Sequence, residues 1–334
     1  MELPIELPLA QSAPTVSGVG STWRVRIMFA VGQVPEGVQS AAFGFFLLFF
    51  YNQVLGLSGS LASLAIVIAL VVDAVIDPVV GSWSDRTRGA LGRRHPFMYA
   101  AALPFGLCFY LLFAPPTGLG TTGIFLWLVT FSILTRVTLS FYSIPHTSMT
   151  AELSTNYDER TLLSALRSLF ASVGTLMVFL IGLQNYFKAT AQYPNGQLNP
   201  DAYPLFAATF AAVLVIGIWL SAAGTHSQIP KLPQAAANTP RFSIAQVIRE
   251  AGEAFALHSF RVIVVTAVLW GMTIGMVATL SIYLGTLYFQ FSVQLIGWSF
   301  PASVVSGVER PAPMKPPTTD AGKLQPISCT LNWK

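Results

Sequence analysis

"DAVIDPVVGSWSDRTRGALGRRHP" runs from Asp73 to Pro96. It starts inside a long apolar run with two aspartates four residues apart, and it ends in a loop dense with arginine. The two halves belong to different solvents. A spacing of four puts Asp73 and Asp77 on one face of a helix. The apolar text around them asks for lipid, whereas the arginines ask for water or lipid headgroups. The transition near Asp85 therefore marks the end of a membrane-spanning helix.

The rest of the chain agrees. Of its 334 residues, 53% are hydrophobic and only 10% are charged, against roughly 25% charged in a soluble domain. A spanning helix needs about 20 mostly apolar residues. Seven stretches meet that need, at 27–51, 57–83, 97–114, 122–149, 162–186, 203–224 and 260–291. Helices are expected in all seven, because hydrocarbon offers the backbone no other partners. No series of short alternating segments points to a barrel. The expected fold is all-α and polytopic. A cytoplasmic N-terminal segment (1–26) leads into a six-helix bundle (27–224). A linker (225–259) follows, with an amphipathic helix over 241–257 whose apolar stripe is Ile244, Val247, Ile248, Ala251 and Phe255. A seventh helix (260–291) begins a second bundle, the layout of a two-bundle transporter.

The last segment, 301–334, is rich in proline and has no apolar periodicity. It reads as a disordered tail or as the product of a frame change or early stop near residue 300. Truncation is the expectation, and five further apolar helices in another reading frame would mark it.

Basic residues set the expected orientation. Twelve of the 18 Lys and Arg flank helix ends on the N-terminal side, and Lys188 alone lies opposite before the seventh helix. The positive-inside rule then places the N-terminus in the cytoplasm of a cell membrane. The opening MELPIELPLAQSAP lacks the basic region of a secretory signal. Two cysteines, Cys108 and Cys329, form no framework and no metal-ligand spacing. GVGSTWRV, at Gly18–Val25, lacks the ending of a phosphate loop. The four histidines, His95, His146, His226 and His258, lie at helix ends on the basic side and assemble no nucleophile–base pair. An enzyme and a nucleic-acid partner are not expected. The implied partners are a small solute, a coupling cation and the bilayer.

Five charged residues fall within spans: Glu36, Asp73, Asp77, Arg136 and Arg167. A charge at mid-helix costs about 2.5–3.5 kcal/mol on insertion scales, so each needs a wet cavity, a cation or an opposite charge. Two ionised carboxylates one turn apart repel, and a bound Na⁺ or one shared proton removes the repulsion. The other reading pairs each aspartate with Arg136 or Arg167 to hold the bundle together. Ser140 and Ser143, one turn apart, either add oxygens to a cation site or bond their own backbone. Pro35 is expected to kink the first helix beside Glu36. His146 is expected to be a satisfied polar residue near the basic end. Phe45, Phe46, Phe49, Phe50 and Tyr51 are either packing groups or platforms for a sugar ring.

Three stretches resemble the glycoside–pentoside–hexuronide:cation symporter family of the major facilitator superfamily, to which melibiose permease belongs. They are DAVIDPVVG with SDRTRGALGRRHPF, FFYNQVLGLS (Phe49–Ser58), and SIPHTSMTAELSTNYDERTLLSALR (Ser143–Arg167). The resemblance covers about residues 25–290. It implies a twelve-helix carrier coupling solute entry to Na⁺ or H⁺, with Asp73 and Asp77 as cation-site carboxylates. It also implies that Arg167 and Glu36 contact the sugar, and Tyr51 joins them as a candidate contact. A third acid that precedes the Ile-Pro pair of a sodium-coupled member is Ser143 here, which shifts the expectation toward H⁺. Asp85, Arg86 and Arg93 are expected to pair with Glu152, Asp158, Glu159 and Arg160 as a cytoplasmic gate. Arg88 and Arg94 read as topology signals only. The expected function is cation-coupled transport of a sugar or glycoside-like solute by alternating access. The alternatives are a lipid or other amphiphile as solute, and a non-transporting remnant.

Overall fold

The computed structural model describes residues 22–154, 156–232, 249 and 252–289. Most of the expected amphipathic helix over 241–257, and the whole segment 301–334, lie outside the described residues. Among those described there is no strand, and seven helices are long and apolar enough to cross a membrane.

The first span runs over Trp23–Val54 but is not one helix. Helix α1 (Trp23–Val31) stops at Gly32, and α2 (Val34–Ala41) restarts with Pro35 in its first turn. Proline supplies no amide hydrogen, and the first turn of a helix is where none is needed. The restart therefore falls just before it, and the kink expected at Pro35 is a full break. The span then continues as π-helical turns at Ala42–Leu47 and Phe50–Val54. The other spans are α3 (Gly59–Arg86), α4 (His95–Phe113), α5 (Thr121–Leu153), α6 (Tyr157–Met177), α7 (Ala202–Thr225) and α8 (His258–Tyr283).

Helix α5 packs against α3 and α4, α4 also packs against α7, and the broken first span sits against α6 and α7. Two glycines let the first span and α6 approach. A Cβ on Gly37 would lie 1.9 Å from the Ala171 carbonyl oxygen, and one on Gly174 would lie 2.3 Å from that of Val34. Small residues at such crossings are how helices gain contact in lipid, where burial alone gives no preference. The contact is sealed by Thr175, whose hydroxyl donates to the Gly37 carbonyl at 3.2 Å.

At the end far from the arginines, aromatic side chains fill the core. Phe50 stacks on Tyr203 with centroids 4.1 Å apart, and Phe46, Phe187 and Phe206 pack beside them. Four of the five aromatics flagged from sequence, Phe46, Phe49, Phe50 and Tyr51, are fully buried there. The C-terminal part of α8 and the π-helical turn after it meet this bundle. Thr279 donates to the Gly44 carbonyl, Tyr283 to Asn52 Oδ1, and Thr286 to Gln197 Oε1.

Gly174→Val is expected to destabilise the protein by about 1–3 kcal/mol through overpacking, and Gly275→Val, which meets open space, to leave stability unchanged. Thermal unfolding of the purified variants in detergent checks both.

Candidate functional site

Asp73 lies midway along α3 and Arg136 midway along α5. Arg136 Nη1 donates to Asp73 Oδ2 at 2.9 Å, and the Ser140 hydroxyl donates to Asp73 Oδ1 at 3.0 Å. The same hydroxyl lies 3.1 Å from the Arg136 carbonyl of its own helix, so its one hydrogen is shared between Asp73 and the backbone. Asp77, one turn further along the same face, enters no ion pair among the described residues. Its neighbours are Ser140, Asp73 and Arg136. Ser143 is half-buried one turn beyond Ser140, with no hydrogen bond among the described residues. Of the pairings left open by the sequence, the structure makes Asp73 with Arg136 and none with Arg167. No group of three or more His, Cys, Asp or Glu side chains converges on one point among the described residues.

Arg136 has a second side. Its guanidinium carbon sits 5.2 Å from the centre of the Phe43 ring, and the residue lines a cavity of about 1020 Å³ between the first span, α3 and α8. Gln39, Ser40, Phe43 and Phe45 form one wall, Ile66 and Leu70 another, and Trp270 with Ile274 the third. Arg136 thus stands between the aspartates and the cavity. Sequence reasoning treated it as a partner only; its place on the cavity wall depends on which face of α5 turns inward.

The break in the first span builds a second polar centre. The carbonyls near it are taken by side chains from α5 and α7. Tyr142 donates to the Gly32 oxygen at 2.6 Å, while His146 Nε2 lies 2.9 Å and the Ser221 hydroxyl 3.4 Å from the Phe29 oxygen. His146 is fully buried between the rings of Phe29 and Tyr142. Its Nε2 is satisfied as expected, but its Nδ1 is buried without a partner. Glu36 stands in the first turn of α2, where a helix N-terminus favours a carboxylate. Gln33 joins Glu36 to Arg167: its amide NH₂ donates to Glu36 Oε2, and its oxygen accepts from Arg167 Nε at 3.0 Å. Arg167 also donates to Thr147 and Thr150. Gln33 was missed from the sequence, where nothing separates it from other polar residues near helix ends.

Tyr51 is not near this centre. It is fully buried, and its hydroxyl donates to the Leu112 carbonyl at 2.7 Å. That carbonyl is one of the last in α4 and has no intrahelical donor. Tyr51 thus closes a helix end, a packing role rather than a solute contact. Phe45 is the one flagged aromatic that reaches the cavity.

The basic end carries two ion-pair clusters. In one, Glu152 at the end of α5 accepts from Arg93 at 2.6 Å and from Arg94 at 2.7 Å, and Arg94 also meets Asp85 at 2.7 Å and Ser84 at 2.8 Å. Gly92, at φ +69°, turns the chain so that both arginines point back at α3 and α5. In the other, Arg26 of α1 meets Glu159 of α6 at 2.9 Å, and Ser154 donates to the same carboxylate. Two expectations change here. Arg94 is the buried hub of the first cluster, not a topology signal alone, because Ser84, Asp85 and Glu152 all face it. Asp158 and Arg160 are exposed and enter no ion pair among the described residues. Arg86 bonds Ser82 on its own helix. Each of these ion pairs joins elements of the six-helix bundle to one another.

These features belong to a polytopic helix bundle, with seven helices long and apolar enough to cross a membrane and paired charges at mid-helix beside a cavity. The chain belongs to the MFS/sugar transport protein family, which it matches over residues 28–310. This is a family of transporters, not enzymes. The chain is 30% identical over 161 residues to an uncharacterized symporter of Synechocystis, covering 47% of this chain and 30% of that protein. It is 27% identical over 176 residues to the isoprimeverose transporter of Lactiplantibacillus pentosus, covering 53% and 36%. It is 29% identical over 202 residues to a sodium-dependent lysophosphatidylcholine symporter of Danio rerio, covering 58% and 37%. The matches span about a third of the length of these relatives.

Removing a member of the buried cluster should cost far more than removing an exposed charge. Arg94→Ala is expected to lower stability by about 3 kcal/mol, and Arg160→Ala by less than about 0.5 kcal/mol. Tyr51→Phe should cost about 1 kcal/mol. Urea or thermal unfolding in a mild detergent reads all three.

Proposed function

We propose that the six-helix bundle is the cation-coupling half of a secondary carrier that moves a sugar or glycoside-like solute with H⁺ or Na⁺ by alternating access. The observation that carries this reading is a charge imbalance. Two carboxylates, Asp73 and Asp77, share one helix face at mid-membrane with a single paired cation, Arg136. One further monovalent cation restores neutrality. Asp73 is held by Arg136, so Asp77 is the group left to take it, with Ser140 beside it and Ser143 one turn on. A proton needs one such oxygen, whereas Na⁺ needs several hard ligands. The donor set therefore supports H⁺ over Na⁺ at Asp73 and Asp77.

Coupling runs through Arg136. When Asp77 is charged, Arg136 is drawn toward both carboxylates. When Asp77 is neutralised, the guanidinium is held by Asp73 alone and is more available to a solute in the cavity. The loaded bundle then rocks against its counterpart. Glu36 and Arg167, linked by Gln33, form a polar clamp suited to sugar hydroxyls at the break of the first span. With the basic face in the cytoplasm, the two ion-pair clusters keep the bundle rigid while it moves, and Asp85, Arg93, Arg94 and Glu152 edge the cytoplasmic gate.

One observation favours a second solute class. The cavity beside Arg136 is walled mainly by Phe43, Phe45, Ile66, Leu70 and Trp270, a lining that suits an amphiphile with an anionic head. The similarity to a lysophosphatidylcholine symporter is consistent with that reading.

In proteoliposomes, Asp77→Asn is expected to abolish gradient-driven solute accumulation while leaving the protein folded. A panel of an α-galactoside, a pentoside and lysophosphatidylcholine, under a pH or a Na⁺ gradient, identifies the solute and the ion. Undiminished accumulation by Asp77→Asn would overturn the assignment.

A further inference from the structure

Arg136 stands where a metal ion would need room. Asp73, Asp77 and Ser140 bring two carboxylates and a hydroxyl to one level of the bundle, the kind of oxygen set that a hard cation takes. The guanidinium is already among them. Its Nη1 lies 2.9 Å from Asp73 Oδ2, so Na⁺ bound there would have to displace it. Ser140 belongs to the same unit. Arg136 and Ser140 are one turn apart on α5, and the Ser140 hydroxyl lies 3.0 Å from Asp73 Oδ1 and 3.1 Å from the Arg136 carbonyl. The guanidinium is also pinned. The Phe43 ring meets its carbon at 5.2 Å on the cavity side. Among the described residues its buried Nε has no acceptor, and its ion pair is with Asp73.

This placement weighs unequally on two ions. The charge of Arg136 disfavours H⁺ and Na⁺ alike. Its occupancy disfavours Na⁺ alone. A proton needs one carboxylate oxygen, and Asp77 offers its own outside any ion pair among the described residues. Na⁺ needs several hard oxygens around it at once. To gather them it must take Asp73 from Arg136, and a guanidinium stripped of its partner inside a membrane is costly.

We infer that Arg136 sets the ion selectivity of this site: it is a resident counter-cation that fills the Na⁺ position beside Asp73 and leaves Asp77 to take a proton. The inference rests on the proposed role of Asp77 and adds to it the residue that chooses the ion. It makes the choice reversible by one substitution. Without the guanidinium, Asp73, Asp77 and Ser140 form a doubly negative, oxygen-lined site that Na⁺ can enter. Two unit charges about 4 Å apart, at the effective dielectric of a protein, change an equilibrium by about a thousandfold. Removing Arg136 is therefore expected to raise Na⁺ affinity by at least about a hundredfold.

The test reads ion binding rather than transport, so it does not depend on knowing the solute. The purified chain in detergent, at mildly alkaline pH, is titrated with NaCl against choline chloride at constant ionic strength. Calorimetry and thermal unfolding follow the binding. The unaltered chain should show no Na⁺-specific signal. Arg136→Met should bind Na⁺ at least about a hundredfold more tightly than the limit set by the unaltered chain. Near neutral pH it should release protons as it does so, because the two ions then compete for Asp77. Arg136→Gln serves if that change impairs folding. Adding Asp77→Asn should abolish the gain. Na⁺ binding that survives Asp77→Asn and is lost in Asp73→Asn would support exclusion by Arg136 while overturning the assignment of the ion to Asp77. A Na⁺-specific signal in the unaltered chain, or folded Arg136 variants that bind no Na⁺, would overturn the inference.

Discussion

The ion pair between Asp73 and Arg136 organises this protein. A charge in hydrocarbon is costly unless it is matched, and the 2.9 Å bond between α3 and α5 matches one acid with one base. It joins the two longest helices of the bundle at mid-membrane. It also decides what is left over. Asp77 lies on the same face of α3, and the base near it, Arg136, is already shared. A carrier that must exist with and without its coupling ion needs a carboxylate in that position, close to a cation but not owned by it. Arg136 then connects the aspartates to the cavity on its other side, through the Phe43 ring.

The remaining polar features follow from a second constraint, that no backbone group inside a membrane can go unbonded at little cost. Breaking the first span at Gly32 frees carbonyls, and Tyr142, His146 and Ser221 come from α5 and α7 to meet them. That triangle holds the break open as a fixed feature and sets Gln33, Glu36 and Arg167 beside it. At the basic end, Arg94 and Arg26 fasten helix ends in the same way. The bundle is thereby a single body, which is what a rocking mechanism needs from each half.

Much of this was legible in the sequence. All seven spans were found, with ends that moved by a few residues, because hydropathy and length decide them. The shared face of Asp73 and Asp77 followed from a spacing of four, and the break followed from Pro35. What could not be read was which neighbour each face meets. Helices such as α4 and α7 are apolar on every side, so periodicity carries no inward direction. Hence Arg136 and Arg167 were equal candidates for the aspartates, Tyr51 looked as available as Phe45, and Arg94 could not be told from Arg88. Gln33 was invisible for the same reason: its role exists only once α6 brings Arg167 to it.

The central claim is that Asp77, and not Asp73, takes the coupling ion. Infrared difference spectroscopy on the purified protein tests it directly, by stepping pH or Na⁺ and following the carboxyl C=O band. The account predicts a band that persists in Asp73→Asn, shifted by the freed Arg136, and vanishes in Asp77→Asn. A band that survives in Asp77→Asn and is lost in Asp73→Asn would contradict it.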